Sequence, residues 1–284
     1  MGNNLTILKL FAKVEVKRKC HSAHSSVLIT GGGSGIGRGL ALSYAKRNCT
    51  RHLDRLTLVD RAVADAQQVA RECEEAGCKE VLVVRADVTV AEDCKAAIEA
   101  AIARFGGIDI LVLCAGIAAH QLFEGVQDLD VYRKLMDVNY FGYVNCTYYA
   151  YPYLKQSKGQ IVVLSSISGE IGLPFRTAYC ASKFAVTGFF EALRSEFDQE
   201  DVAITLICPP SVRTNLRKNS IVQVAEASDN EHRIEVEDCV ASILAAADRR
   251  ARKIFFPFKV YFAVYVRPFF PDFVDKRLKR AAKL

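Results

Sequence analysis

Between residues 25 and 254, six short apolar runs recur, each ending in a polar or glycine-containing corner and followed by a longer stretch with helical spacing. The runs are Val27–Ile29, Leu56–Val59, Val81–Val84, Ile108–Leu113, Gln160–Leu164 and Ala203–Ile207. They are apolar nearly throughout rather than alternating, so each strand must be covered on both faces. Stretches such as Ala62–Glu75 and Ala91–Arg104 supply the covering helices. Alternating β and α of this kind predicts an α/β fold, a single doubly wound parallel sheet with right-handed crossovers. Lys253–Phe256 is a candidate seventh strand. Such sheets bind ligands beyond the carboxyl ends of their strands. The corners that fall there contain Thr30 and its glycines, Asp60, Asp87, Cys114-Ala115-Gly116, Ser165-Ser166 and Pro209-Pro210.

At 284 residues, about half of them apolar, the chain can bury one sizeable core. The pattern divides it into an N-terminal extension (1–24), one domain (25–254) and a C-terminal extension (255–284). Charge follows the same division. The first 24 residues carry five Lys/Arg against one Glu, and residues 249–284 carry eleven Lys/Arg against two Asp. The net charge of +6 therefore hides an acidic body between basic, apolar ends. That distribution excludes a nucleic-acid binder, which carries its basic charge across a folded face. Basic ends instead suit an anionic surface or a receptor.

The ten cysteines are scattered, without a CxxC pair, and no His lies at zinc spacing. They read as buried free thiols, and no metal site is expected. No apolar run reaches the ~18 residues of a transmembrane helix, and the first residues lack the apolar core and cleavage site of a secretory signal.

Thr30-Gly31-Gly32-Gly33-Ser34-Gly35-Ile36-Gly37 follows the first strand and opens a helix. Glycines there allow a tight turn and close approach of backbone to a pyrophosphate. The helix N-terminus then offers free N–H groups to the phosphates. The spacing is T-G-x-x-x-G-x-G, not the usual G-x-G-x-x-G. The candidate nucleotide contacts here are Thr30, Gly31, Gly33, Ser34, Gly35, Ile36 and Gly37. Asp60 ends the second strand, where a carboxylate accepts from ribose hydroxyls and repels a 2′-phosphate. This favours NAD. Arg61 beside it could hold that phosphate and so admit NADP. Asp87, with Val88 after it, is a candidate adenine contact, with a helix-capping role for Asp87 or Thr89 as the alternative.

Tyr179-Cys180-Ala181-Ser182-Lys183 sets Tyr and Lys four apart, on one helix face. A phenol titrates near ~10, too high for easy proton exchange at neutral pH. An adjacent ammonium stabilises the phenolate and lowers that value. The pair can then act as general acid/base toward an alcohol or carbonyl. Ser166, thirteen residues earlier at a strand end, offers a hydroxyl to the substrate oxygen. Ser165 and Ser168 read as turn formers.

Thr30 through Gly37, Cys114-Ala115-Gly116, Asn139, Ser166 and Tyr179-x-x-x-Lys183 together resemble the short-chain dehydrogenase/reductase family over residues 25–256. The stretch from Ser165 to Ala185 is most similar to 11-beta-hydroxysteroid dehydrogenase-like and dehydrogenase/reductase 7-like members, which often act on steroids or other lipids. The resemblance implies a Rossmann-type fold and interconversion of an alcohol and a carbonyl by hydride transfer with NAD or NADP. It assigns Asn139 to a water in the proton relay and Ser166, Tyr179 and Lys183 to catalysis. Tyr179, Lys183, Ala115 and Gly116 would also face the cofactor, and Thr214 would reach the nicotinamide amide. The chain departs from the family in two places. Cys114 replaces the Asn before Ala-Gly, and Pro210 replaces a Gly after the sixth strand, where it can neither donate an N–H nor take positive φ. A nucleotide-binding scaffold or sensor on a membrane, with little turnover, is the competing reading. The complete Asn/Ser/Tyr/Lys set argues against it.

The ends carry further expectations. Phe255–Val274 is aromatic-rich and broken by Pro257, Pro268 and Pro271. It suits a membrane interface, a substrate entrance, a dimer contact or a helix packed on the body. A homo-oligomer is expected. Segment 211–233 is the expected cover of a lipid-like substrate. Met1-Gly2-Asn3-Asn4-Leu5-Thr6 fits the loose myristoylation pattern, and a short amphipathic helix over residues 5–16 is the alternative. Ala282-Lys283-Leu284 fits the small–basic–Leu peroxisomal address, which predicts an import receptor as partner and a peroxisome or glycosome as location.

Overall fold

A computed structural model describes residues 25–47, 55–197, 201–216, 220–222, 233–257 and 259–282. The readings of Gly2, of residues 5–16 and of Lys283-Leu284 lie outside them. Seven strands form one sheet: β1 (Ser26–Thr30), β2 (Arg55–Asp60), β3 (Glu80–Arg85), β4 (Ile110–Leu113), β5 (Gln160–Leu164), β6 (Ala203–Cys208) and β7 (Lys253–Phe255). Their order is β3-β2-β1-β4-β5-β6-β7, and every neighbouring pair is parallel. The six sequence-predicted strands and the seventh candidate all appear, with β4 starting two residues later than Ile108.

Helices α1 (Gly35–Lys46) and α2 (Val63–Glu75) follow β1 and β2, and α3 (Ala91–Phe105) follows β3. Between β4 and β5 lie the short α4 (Asp130–Met136), a π-helical turn (Asp137–Phe141) and α5 (Gly142–Ser157). Helix α6 (Thr177–Glu196) follows β5, and α7 (Val236–Asp248) precedes β7. Within β1, Val27 and Ile29 pack with Leu40, Tyr44, Val69 and Ile243 of α1, α2 and α7. Leu28, between them, packs with Ile98, Tyr143, Leu154 and Phe190 of α3, α5 and α6. Both faces of the sheet are therefore core, which is why the strands read as unbroken apolar runs. At ~25 cal/mol per Å² of buried apolar surface, each fully covered Val, Leu or Ile contributes about 1.5–3 kcal/mol.

The eight described cysteines are free, and all but Cys114 are buried. Burial pushes the thiols of Cys73, Cys114 and Cys239 up to about 12, which leaves them protonated and inert.

Helices α8 (Lys259–Val266) and α9 (Pro271–Ala281) belong to the C-terminal extension. The Phe255 ring meets Tyr261 edge-on at 5.0 Å, and Val260 shares a cluster with Cys208 and Ile167. Helix α8 thus packs over the carboxyl ends of β6 and β7, next to the turn after β5. Arg267 Nε donates to Asp275 Oδ1 at 2.9 Å and ties α8 to α9. Phe269, Phe270 and Phe273 remain exposed. No described helix is long and apolar enough to cross a membrane.

Candidate active site

The sheet runs outward from β1 to β3 and resumes on the other side at β4, so a crevice opens beyond Thr30 and Leu113. The Thr30 hydroxyl holds its two edges together. It accepts from the N–H groups of Cys114 (3.1 Å) and Ala115 (3.2 Å) and donates to Val112 O (3.4 Å). Gly31 turns the chain at φ +68°, and a Cβ on it would lie 2.8 Å from Ala115 Cα. A Cβ on Gly37 would lie 2.0 Å from the Gly31 carbonyl oxygen. No other residue fits either place.

The N-cap of α1, Ser34, makes no side-chain capping bond, and the first turn, which holds Ile36, carries no acidic residue. The turn adjoins a cavity bounded by Gly33, Ser34, Gly35, Arg38, Asp65 and Asn215. This uncapped, carboxylate-free turn, with glycine at each close approach, fits a nucleotide pyrophosphate. Asp60 stands beside it. Its Oδ2 accepts from Gly33 N and its Oδ1 from Ala62 N, both at 2.9 Å. Arg61 Nη1 lies 3.6 Å from Asp87 Oδ2, and Arg38 Nη2 lies 2.7 Å from Glu72 Oε2. Both guanidiniums near the ribose end are thus already paired.

Neither Asp87 nor Thr89 caps α3, whose N-cap is Val90. Asp87 Oδ1 instead accepts from Thr89 N (3.0 Å) and Thr89 Oγ1 (2.8 Å), a local turn. Thr89 and Arg61 hold the Asp87 carboxyl below its ordinary range against the opposing effect of burial, which is the largest single influence. Val88 is buried, and a Cβ on Gly142 would meet its Cγ2 at 2.7 Å, so Val88 seats the start of α5.

The second cavity, at the carboxyl ends of β4, β5 and β6, brings together Ser166, Tyr179, Lys183, Gly116 and Thr214. A Cβ on Gly35 would touch Thr214 at 3.4 Å, so the two cavities meet at the start of α1. Asn139 is fully buried behind this wall. Its Nδ2 donates to Ile117 O and Ser182 Oγ, both at 3.0 Å, and its Oδ1 accepts from Ile117 N at 2.9 Å. It sits in the π-helical turn, a form in which the ordinary backbone pairing is interrupted. Ser166 Oγ accepts from Ser168 N at 3.1 Å, which aims the hydroxyl at Tyr179.

Lys183 is 4% exposed, and its Nζ donates to Leu164 O at 2.8 Å. Tyr143 OH donates to the same carbonyl at 3.2 Å, with its ring centroid 5.2 Å from Nζ. The Tyr179 ring centroid is 5.9 Å from Nζ. Burial lowers the Lys183 pKa to about 8. Burial also raises the Tyr179 phenol above its ordinary value, opposed by the Arg176 guanidinium and by hydrogen bonding with Ser166. The net shift of the phenol is thus upward, set by burial as the largest influence. Desolvation wins, and it weakens the charge of Lys183 as well.

Several contributors carried no sequence assignment. Gly169 lets the turn after β5 press against α6, since a Cβ there would lie 2.6 Å from Lys183 O. Tyr143 follows Asn139 by four residues, a helical spacing that could have marked it. Arg176 and His120 line the cavity through tertiary packing alone. Pro209 and Pro210 line it as well, and Pro209 O accepts from Ile167 N at 3.0 Å. Arg213 N donates to Ile234 O at 2.9 Å in the loop after them, and none of its described residues takes positive φ. Of the described residues of segment 211–233, Ser211, Val212, Thr214 and Leu216 join the lining.

The family model for short chain dehydrogenases matches residues 25–224. 11-beta-hydroxysteroid dehydrogenase A of Sesamum indicum is 40% identical over 238 residues, covering 80% of this chain and 67% of that protein. Dehydrogenase/reductase SDR family protein 7-like of Dictyostelium discoideum is 33% identical over 276 residues, covering 93% and 84%. A short chain dehydrogenase/reductase from Burkholderia phymatum, solved in complex with NAD, superposes with a TM-score of 0.77. That match covers 88% of this chain and 95% of the other at 21% identity. An alcohol dehydrogenase from Thermococcus sibiricus, complexed with 5-hydroxy-NADP, gives a TM-score of 0.71 at 20% identity, covering 82% and 96%. At such identities the two structures establish the fold.

Proposed function

This chain belongs to the short-chain dehydrogenase family, and from that premise we propose that it interconverts an alcohol and a carbonyl on a lipid or steroid-like substrate. The observation that carries the proposal is the convergence of Ser166, Tyr179 and Lys183 on one cavity, directly beside the glycine turn. NAD is the proposed cofactor. The Asp60 carboxylate at the ribose end supports it over NADP, as do the existing ion pairs of Arg38 and Arg61. Exposed pairs of that kind are weak, worth about 0–1 kcal/mol, so the carboxylate is the stronger argument.

When bound, the nicotinamide supplies or accepts the hydride. The chain's residues do the rest. The Gly31–Gly37 turn would hold the pyrophosphate on backbone amides. Ser166 Oγ holds the substrate oxygen, and Tyr179 OH gives or takes its proton. Lys183 is poised near neutrality at about 8, so it can pass protons onward and hold the nicotinamide ribose. Asn139 fixes the Ile117 backbone at the cavity wall and orients Ser182 beneath Tyr179. Thr214, next to Gly35, would hold the nicotinamide amide. The apolar remainder of the lining, including Ile117, Leu164, Val212 and Leu216, supports a lipid-like body.

The exposed rings of Phe141, Tyr148 and Phe184 support a homo-oligomer. Phe269, Phe270 and Phe273, beside the basic α9, support contact with an anionic membrane surface. Peroxisomal or glycosomal targeting through Ala282-Lys283-Leu284 is part of the same proposal. Microscopy of an N-terminally tagged chain tests it, since a location unchanged by deleting Leu284 removes that claim. For the reaction, calorimetric titration with NAD and NADP comes first. A turnover screen of steroid, retinoid and fatty-acyl alcohols follows. Cofactor binding without hydride transfer to any of them would favour the nucleotide-binding scaffold instead.

A further inference from the structure

We infer that Lys253, on the edge strand β7, is a positioning residue that sets the turn carrying Ser166 against the helix carrying Tyr179. The inference rests on the roles proposed above for those two residues and adds to them a residue from outside the cavity.

Ser166 and Glu170 cap the two ends of one short helical turn, Ile167–Gly169, after β5. Gly169 N donates to Ser166 O at 2.9 Å and Glu170 N to Ile167 O at 3.0 Å, so a shift of Glu170 is passed to Ser166. Glu191 lies on α6, the helix of Tyr179, about two turns beyond Lys183. Lys253 Nζ stands between the two carboxylates, 3.0 Å from Glu170 Oε1 and 2.7 Å from Glu191 Oε1. One ammonium thereby joins the Ser166 turn to the Tyr179 helix.

The contacts are fixed at their far ends as well. Arg194 Nη1 donates to Glu191 Oε2 at 2.5 Å, and Arg194 Nη2 donates to Ile204 O at 3.2 Å and Arg252 O at 2.8 Å. Cys208 Sγ donates to Glu170 Oε1 at 3.7 Å. The side chains of Lys253 and Glu170 are only 21% and 13% exposed, so water screens this pair far less than a surface pair. Glu191 is half-exposed, which makes its link the weaker one. Without the ammonium, the two carboxylates would repel each other and push the turn away from α6. Docking of the edge strand does not by itself explain the arrangement. Lys253, Ile254 and Phe255 already pair with β6, and the Phe255 side chain is buried.

The expected consequence is read at the phenol. Hydrogen bonding with Ser166 draws Tyr179 down against burial, as Arg176 does. A turn that drifts from α6 weakens that bond and raises the phenol further. Arg176, Cys180 and Lys183 face the phenol along its own helix, and Cys114, Tyr143 and His120 face it from the rest of the wall. The variants below leave all six in place.

The test puts 3-fluorotyrosine at position 179 of the full chain and follows its titration by fluorine NMR without cofactor. Lys253→Met removes a positive charge and Glu170→Met a negative one. A through-space field would move the phenol in opposite directions in the two variants, whereas a displaced Ser166 raises it in both. The double variant Lys253→Met/Glu170→Met has no net change in charge and leaves neither member of that pair unpartnered. It keeps the test available where a single variant does not fold. The midpoint should rise by about 0.5 pH unit or more in each, with Ser166→Ala setting the upper limit. In the Ser166→Ala background the double variant should add nothing, and Lys253→Arg should stay near wild type. An unchanged midpoint in the folded double variant, or single-variant shifts of opposite sign, overturns the inference and leaves Lys253 as a strand-docking residue.

Turnover of decan-2-ol with NAD gives a second reading. The double variant should lose about tenfold in kcat, with NAD affinity within about twofold of wild type, and Lys253→Arg should recover most of the loss. An unchanged kcat also overturns the inference. Turnover that is the same in Tyr179→Phe as in wild type breaks the proposed acid/base reading instead. The titration, which needs no turnover, then decides the place of Lys253.

Discussion

The two cavities at the carboxyl edge of the sheet work by opposite means. At the nucleotide end the chain acts through absent atoms. Gly31 and Gly37 leave no room for a Cβ, and the first turn of α1 offers bare amides. At the chemical end it acts through titratable groups whose burial moves them from their ordinary values, Tyr179 up and Lys183 down to about 8. The first region should fail by steric intrusion and be nearly indifferent to pH. The second should tolerate isosteric change in shape but not in protonation.

The largest expected effect is on that second half. Tyr179→Phe keeps the ring and removes only the proton, so turnover should fall by about 10²–10⁴-fold, with cofactor affinity within a few-fold of wild type. Steady-state kinetics and cofactor titration check both halves, and near-normal turnover would remove the acid/base role. Gly37→Ala is the matching intrusion at the nucleotide end. Its Cβ meets the Gly31 carbonyl oxygen at 2.0 Å, so the turn must open. A loss of about 3 kcal/mol in urea unfolding, together with lost cofactor binding, is the expectation. A variant that binds cofactor normally would show that the turn can yield.

A smaller change sharpens the nucleotide side. Asp60→Asn keeps the shape and removes the charge, and should shift the ratio of NAD to NADP dissociation constants toward NADP by about tenfold, or 1.4 kcal/mol. An unchanged ratio would transfer selectivity to Arg38 and Arg61. The smallest change is in pH dependence. Lys183 titrates near 8 when folded and at 10.5 when exposed, so between those values the unfolded chain binds more protons. This residue's contribution to stability therefore rises with pH across that window, and its full burial cost falls below about 8. In Lys183→Met that rise is absent. The stability difference between variant and wild type, measured by urea unfolding from pH 7 to 10, should narrow as pH increases, and parallel curves would contradict the buried-ammonium reading.

The fold was legible because a strand buried on two faces leaves a continuous apolar run, and six such runs in alternation with helices admit few topologies. β1 illustrates it: Val27 and Ile29 serve one core, Leu28 the other. The glycine turn was legible too, because a missing side chain is visible in sequence and has few alternative reasons beside a strand end. Tyr179 and Lys183 were legible as a four-residue helical spacing.

What sequence could not supply were relations between distant segments and the sign of competing electrostatic effects. Asp87 lies at a strand end like Asp60, yet Thr89 and Arg61 occupy its oxygens. Spacing alone placed Lys183 beside a phenol whose acidity it should raise, but the balance depends on desolvation, which is a property of the whole packed environment. Gly169, Tyr143 and Arg176 join the site because β5, α5 and the loop before α6 converge there. Local chemistry repeats along the chain and can be read from it. Burial and three-dimensional neighbourhood are set only when the sheet brings residues more than a hundred positions apart around a single crevice.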